Sequence, residues 1–198
     1  MGTNSKIEEN ELDVYKHQLD SFALTFHVSK HLEMKKALLS LIALQPSDQL
    51  ISDTSHVNKL DWSKAKDFSR PWVQYFKPEL DSLLTAAFEY CGYVYMTTYQ
   101  LWFQQYQIND QHEWHTHGHN FTGVYYLDFP KGAPKTQLVN PYTLKKISNM
   151  PVKEGDILIF PSYVIHRAPK IKENINKTII SFNLNIGNFK LKEMIVYE

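Results

Sequence analysis

The chain has a single cysteine, Cys91, so no internal disulfide framework holds it together. It lacks any excess of charge: 21 Lys and Arg stand against 21 Asp and Glu. The basic footprint of a nucleic-acid or anionic-membrane binder is therefore missing, and nothing in the electrostatics points to a polyanionic partner. The first residues, MGTNSKIEENELD, are polar and acidic where a secretory signal needs an apolar core, and no apolar run approaches the length of a spanning helix. These absences predict a cytoplasmic protein without a membrane anchor. Linkers, low-complexity tracts, internal repeats and heptads are also absent, so the 198 residues read as a single domain, with no signal for an oligomeric state. A chain of this length buries roughly two-thirds of its unfolded surface, so it needs no metal or disulfide merely to stay folded. Glycine is scarce, at 7 residues, whereas aromatics reach 14%. That balance favours sheets.

Residues 1–12 are polar and predict a flexible start. Residues 13–92 predict a helical region packed on the C-terminal half of the chain. In SKHLEMKKALLSLIAL, Met34, Leu38, Leu41 and Ile42 recur at helical spacing, with Ser29 as a candidate cap and Pro46 as the limit. A second helix is expected to start at Pro78 and end at Gly92, its stripe of Leu80, Leu83, Leu84, Ala87, Phe88 and Cys91 making Cys91 a core thiol. From Tyr93 to the end the pattern changes to short β-branched and aromatic runs: YVYMTTYQLWFQQYQI, FTGVYYLDF, KTQLV, GDILIFP and KTIISFNLNI. The last alternates strictly. Ile179, Ser181, Asn183 and Asn185 share one face; Thr178, Ile180, Phe182, Leu184 and Ile186 share the other. Helices followed by many short strands predict a mainly β protein with N-terminal helices, an α+β chain built on a closed or double-layered sheet such as a jelly roll. Polar strand faces would line its mouth.

Four of the nine histidines fall within eight positions of QHEWHTHGHNFT: His112, His115, His117 and His119. In a strand His115 and His117 point to the same side and could share one ion, of zinc, iron, copper or nickel. His112 has the opposite parity, and His119 follows Gly118, where a strand may bend. A third ligand from elsewhere is expected to be His166, after the buried run ILIF and its terminator Pro161.

These segments, HTHGHNFTGVYYL, EGDILIFPSYVIHRAP and KTIISFN, resemble the 2-oxoglutarate/iron(II)-dependent oxygenases, in particular a little-characterised group with many members in bacteria and marine phages. The resemblance spans roughly residues 102–185. It implies a double-stranded β-helix and an enzyme that uses Fe(II) with 2-oxoglutarate as cosubstrate, hydroxylating an unidentified small molecule or peptide. Its location would be the cytoplasm, or the host cytoplasm if phage-encoded. By position it implies metal ligands at His115, His117 and His166, with no further catalytic residue. The family commonly has a carboxylate where this chain has His117, which removes one negative charge from the metal. Glu113 is the nearest alternative carboxylate. Lys177, eleven residues after His166, is the implied anchor for the cosubstrate's distal carboxylate, with Asn183 and Tyr125 as hydrogen-bonding neighbours. Arg167, His119, His112 and Trp102 are candidates for substrate contact or for supporting the ligands. Phe103, Tyr106, Trp114 and Tyr163 are further aromatic residues that could wall the site.

Two other readings remain open. A cupin shares the barrel and the HxH motif and would act without 2-oxoglutarate, but the glutamate it usually has four or five residues later is absent at Phe121 and Thr122, and Tyr163 stands where its glycine is expected. A non-catalytic jelly-roll binding module would close a structural metal site with a fourth ligand, His119 or His112.

Overall fold

A computed structural model of the chain describes residues 4–5, 14–15, 18–19 and 21–189. The expectation of a flexible start over residues 1–12 falls, Asn4–Ser5 excepted, outside the described residues, as do positions 190–198 of the expected core. A short antiparallel pair joins β1 (Asn4–Ser5) to β2 (Val14–Tyr15). The rest of the described chain runs β3 (Leu24–His27), α1 (His31–Ala43), β4 (Asp48–Ile51), β5 (His56–Leu60), a 3-10 turn at Trp62–Lys64, α2 (Pro71–Tyr90), β6 (Tyr93–Tyr106), β7 (His112–His115), β8 (Phe121–Asp128), β9 (Gln137–Val139), β10 (Ile147–Asn149), β11 (Asp156–Pro161), β12 (His166–Ala168) and β13 (Lys177–Phe189).

Eleven of these strands form two antiparallel sheets, one of seven strands in the order β3-β11-β8-β13-β6-β5-β4 and one of four in the order β10-β9-β12-β7. This is the mainly β, jelly-roll architecture that the strand pattern predicted, and the double-stranded β-helix that the resemblance implied. The layers follow from alternation. Every second residue of the central strands, including Leu101, Phe103, Tyr125, Ile180, Phe182 and Leu184, joins α1 and α2 in one apolar cluster on the outer face. The intervening residues, including Tyr106, Val124, Tyr126, Leu158, Phe160 and Ile179, meet Leu138 of the small sheet in a second cluster inside the barrel. Close approach is built in at Gly123, where a Cβ would lie 2.1 Å from the Phe182 ring across the strand pair.

The N-terminal region departs from expectation in three ways. It supplies three strands to the large sheet: β3 caps one edge and the β4–β5 hairpin caps the other. Each has only four or five residues, and polar positions blur its alternation, so the helical signals between them dominated. The second helix begins at Pro71 rather than Pro78, which sits inside it. Trp72, Val73 and Phe76 extend the buried stripe by two turns, and Pro71 is the proline that suits a first turn, where its missing N–H costs nothing. Ser29 does not cap α1; Lys30 occupies that position, with no side-chain cap bond.

Cys91 is half-buried at the end of α2 rather than in the core, because the helix stops there and Gly92 turns away with φ 82°. A buried Asp61 fastens α2 to β6: its carboxylate accepts from the backbone N–H of Phe103 at 2.8 Å and the indole N–H of Trp72 at 3.0 Å, and it pairs with Arg70. Burial raises the Asp61 pKa above the usual carboxylate value despite these partners.

Candidate metal centre

Three imidazoles converge inside the barrel mouth. His115 ends β7, His117 follows two residues beyond the end of that strand, and His166 opens β12 directly opposite His115 in the small sheet. One ring nitrogen from each lies within 4.8 Å of the others. The sequence placed His115 and His117 on one side of a strand; the chain leaves β7 after His115, so the convergence depends on the following turn. There the His117 N–H donates to the Ser162 carbonyl at 3.0 Å.

Two of the tautomers are fixed by the backbone. Nδ1 of His115 lies 2.6 Å from the Glu113 carbonyl and Nδ1 of His166 lies 2.9 Å from the Val164 carbonyl. A carbonyl only accepts, so both Nδ1 atoms carry the proton and both Nε2 atoms keep a free lone pair, as a metal ligand requires. Burial pushes the His166 pKa down to about 2 and that of His117 to about 4, with neighbouring imidazoles adding to each effect. His115 moves in the same direction, again through burial. The rings are therefore neutral near pH 7. Neutral, preoriented imidazoles without counter-ions suit a transition metal.

Asn183, 1% exposed on the inner face of β13, places Nδ2 3.4 Å from Nδ1 of His117 and donates to Gln100 Oε1 at 2.8 Å. Its own Oδ1 is buried without a hydrogen-bond partner. The same Nδ2 thus faces both Gln100 and His117, and His117 is the one imidazole of the three whose Nδ1 meets no backbone carbonyl. Next along the same face come Ser181, whose Oγ donates to Gln104 Oε1 at 3.0 Å, and Lys177.

Lys177 is 2% exposed, and no carboxylate of the described residues pairs with it. Its Nζ lies 4.5 Å from the centre of the Tyr106 ring and donates to the Pro134 carbonyl at 3.4 Å. Burial lowers its pKa to about 7. Between this lysine and the histidines is an inner chamber walled by Tyr106, Thr122, Thr136, Ile179 and Ser181, with Tyr106 forming part of its wall and packing on the ammonium. The chamber has a volume of about 30 Å³, so a five-carbon diacid needs side chains to yield.

The other expected residues separate into near and far. His112 comes closer than its parity predicted. A bulge in β7 sets Glu113 and Trp114 opposite the single residue Arg167, and so brings His112 to the same face as His115. The two rings stack with centroids 3.9 Å apart, and burial lowers the His112 pKa to about 3. His119 turns aside, hydrogen-bonded to Gln100 Oε1 at 3.1 Å and tilted against Tyr99. Among the described residues neither joins the group of three, so the fourth ligand of a closed site is not present. The Glu113 carboxylate also leaves the metal side and lies 4.0 Å from Arg167. Arg167 lies over the Trp114 ring, donates to Gln137 Oε1 at 2.8 Å and reaches the chamber rim.

Tyr125 is the clearest correction. It faces outward, its hydroxyl bonded to buried His31 at 2.7 Å and its ring stacked on Phe76, because its parity on β8 is opposite to that of Thr122 and Val124. Phe103 likewise belongs to the outer core, and Tyr163 is largely exposed. Trp102 does face the site, 5.9 Å from His117, and meets Trp62 edge-on at 4.5 Å. Trp62, Gln100 and Gln104 were missed. Trp62 lies in the region read as helical, whereas the glutamines share the inward parity of Trp102 on β6 and were legible by that rule.

The barrel segment that holds these groups also matches by sequence. Residues 100–183 fit the family described as "Putative 2OG-Fe(II) oxygenase". None of the curated proteins compared with the chain matches it. Among solved structures, an oxidoreductase of the 2OG-Fe(II) oxygenase family from Burkholderia pseudomallei is similar with a TM-score of 0.66 at 9% identity, covering 82% of this chain and 84% of that one. HygX from Streptomyces hygroscopicus, with nickel and 2-oxoglutarate bound, gives 0.59 at 10% identity over 83% of this chain and 82% of that one. A prolyl hydroxylase from Trichoplax adhaerens, in complex with a hypoxia inducible factor peptide fragment, gives 0.57 at 16% identity over 86% and 84%. At such identities the structures establish a shared fold, and residues 100–183 are similar to the 2OG-Fe(II) oxygenase family.

Proposed function

We propose that the protein is an Fe(II)- and 2-oxoglutarate-dependent hydroxylase of a small-molecule or peptide substrate, working in the cytoplasm, with the metal held by His115, His117 and His166. The observation that carries this reading is the convergence of three neutral imidazoles, two of them oriented by backbone carbonyls, in the same barrel interior as a buried lysine that has no carboxylate partner among the described residues. When bound, Fe(II) and 2-oxoglutarate supply oxidation of a C–H bond, one atom of O2 passing to the substrate and the other to succinate as CO2 leaves.

The chain's own residues do the rest. His115 and His166 present Nε2 with no reorganisation, since their Nδ1 protons already sit on carbonyls. Asn183 holds the His117 ring from the side. Lys177 offers a positive charge in a dry site, where a carboxylate partner is worth far more than in water. The barrel wall buries His166 and Lys177, while His115 and His117 are half-buried at the mouth, where a substrate would meet the metal. The chain thus has three neutral ligands where a carboxylate usually makes the third, leaving one more positive charge to be balanced by the cosubstrate.

His166→Ala is expected to abolish metal-dependent succinate formation from 2-oxoglutarate, a loss beyond about a hundredfold. Near-normal turnover in that variant would remove the assignment.

A further inference from the structure

Two cavities meet at the histidines, sharing Trp102, Gln104, His112, His115 and His117 in their walls. The inner chamber is lined by Ser181, Thr122, Thr136 and Tyr106, with Lys177 behind Tyr106. On the side of the β4–β5 hairpin, a second cavity of about 240 Å³ is walled by Trp62, Trp102, Leu50 and Leu60, and is bounded by His112, His115 and His117. Among the described residues, no carboxylate, ammonium or guanidinium lines it. Trp62 is 44% exposed, so it stands at the rim, while Trp102 at 3% exposure forms the back wall.

We infer that this second cavity selects the substrate by receiving an uncharged planar ring, of the size of an indole or a substituted benzene, beside the metal. The inference rests on the oxygenase reading above and specifies its substrate class. Size is the first argument: an apolar cavity of about 150 Å³ accommodates benzene, so 240 Å³ leaves room for a second ring or a substituent. Charge is the second. A charged group entering here would lose its water and find no counter-ion. A cation would also face a metal centre whose protein ligands are all neutral, and the edge-on arrangement of Trp62 and Trp102, at 83°, does not form the cage of ring faces that holds a cation. An anion finds cations at the other chamber, Arg167 in its wall and Lys177 behind Tyr106. Shape is the third, since flat tryptophan and imidazole surfaces offer stacking area to a ring.

The chain's four tryptophans give a direct readout that needs no turnover. With 15N-labelled indole groups, titration of the Fe(II)-free protein with indole is expected to shift the Trp62 and Trp102 resonances, leaving Trp72, bonded to Asp61, and Trp114, beneath Arg167, in place. Trp62→Ala should weaken binding at least tenfold and Trp62→Phe should largely retain it, while benzoate and benzylamine should bind at least tenfold more weakly than indole. Equal binding of either charged probe, or shifts confined to Trp72 or Trp114, overturns the inference. Absence of any shift does so too, provided Trp62→Phe and the parent protein both give folded spectra. If indole shifts Trp62 and Trp102 but iron and 2-oxoglutarate give no charge-transfer absorption, the ring site stands and the oxygenase reading falls; the reverse result removes the ring site alone.

Discussion

The two faces of strand β13 carry the contrast on which the molecule is built. Outward, Ile180, Phe182 and Leu184 are fully buried against the helices in a cluster with no ionised member. Inward, Lys177, Ser181 and Asn183 are equally inaccessible yet polar, and among the described residues they leave a buried Asn183 oxygen without a partner and an ammonium without a carboxylate. One face is purely apolar; the other keeps polar groups, each with a neighbour, in an equally inaccessible place. Residues that stabilise the chain and residues that would hold metal and cosubstrate thus alternate along one strand. A one-residue slip would exchange them, which is why register is held by the long pairing of β13 with both β6 and β8.

This contrast can be broken from either side. On the outer face Phe182→Ala removes a ring wedged over Gly123 and should cost about 3–5 kcal/mol in denaturant unfolding, with the metal-site residues themselves unchanged. On the inner face Lys177→Met should do the reverse. It removes a desolvated charge packed on Tyr106 and Phe129, so stability should hold or rise, while affinity for 2-oxoglutarate falls by about 10- to 150-fold, as expected for a lost charge-assisted contact of roughly 1.5–3 kcal/mol.

The same lysine predicts a pH dependence. Its pKa in the free protein is lowered to about 7, and a bound carboxylate favours the charged form. Binding above that pH must therefore take up a proton, and affinity for 2-oxoglutarate should decline with rising pH from about 7 upward, approaching tenfold per unit, until the raised pKa of the complex is passed. Calorimetry in two buffers of different ionisation enthalpy would register the proton. Lys177→Met should abolish the dependence. The smallest effect sharpens the boundary between the faces: Tyr125→Phe should cost about 1–3 kcal/mol through the lost bond to buried His31, with 2-oxoglutarate affinity unaltered.

Much of this was legible because alternation is a strong code. It placed Asn183 and Ser181 on one face and Phe182 on the other, and HTH with a downstream histidine marked the three rings that converge. It failed where the backbone leaves regular geometry. The β7 bulge that brings His112 onto His115 has no signature in HEWH, and β3, β4 and β5 are too short and too polar to announce themselves. Trp62 reaches the site on a turn that only the hairpin packing positions. Tyr125 was misplaced for a simpler reason: resemblance suggested a role that its own parity, opposite to Thr122 and Val124, argues against.

The most direct test of the central claim is an anaerobic titration of metal-free protein with Fe(II) and then 2-oxoglutarate, observed in the visible spectrum. The account predicts a charge-transfer band from the chelated 2-oxo acid that saturates with 2-oxoglutarate, and whose half-saturation moves to higher concentration in Lys177→Met. Iron binding without such a band at any 2-oxoglutarate concentration would contradict it.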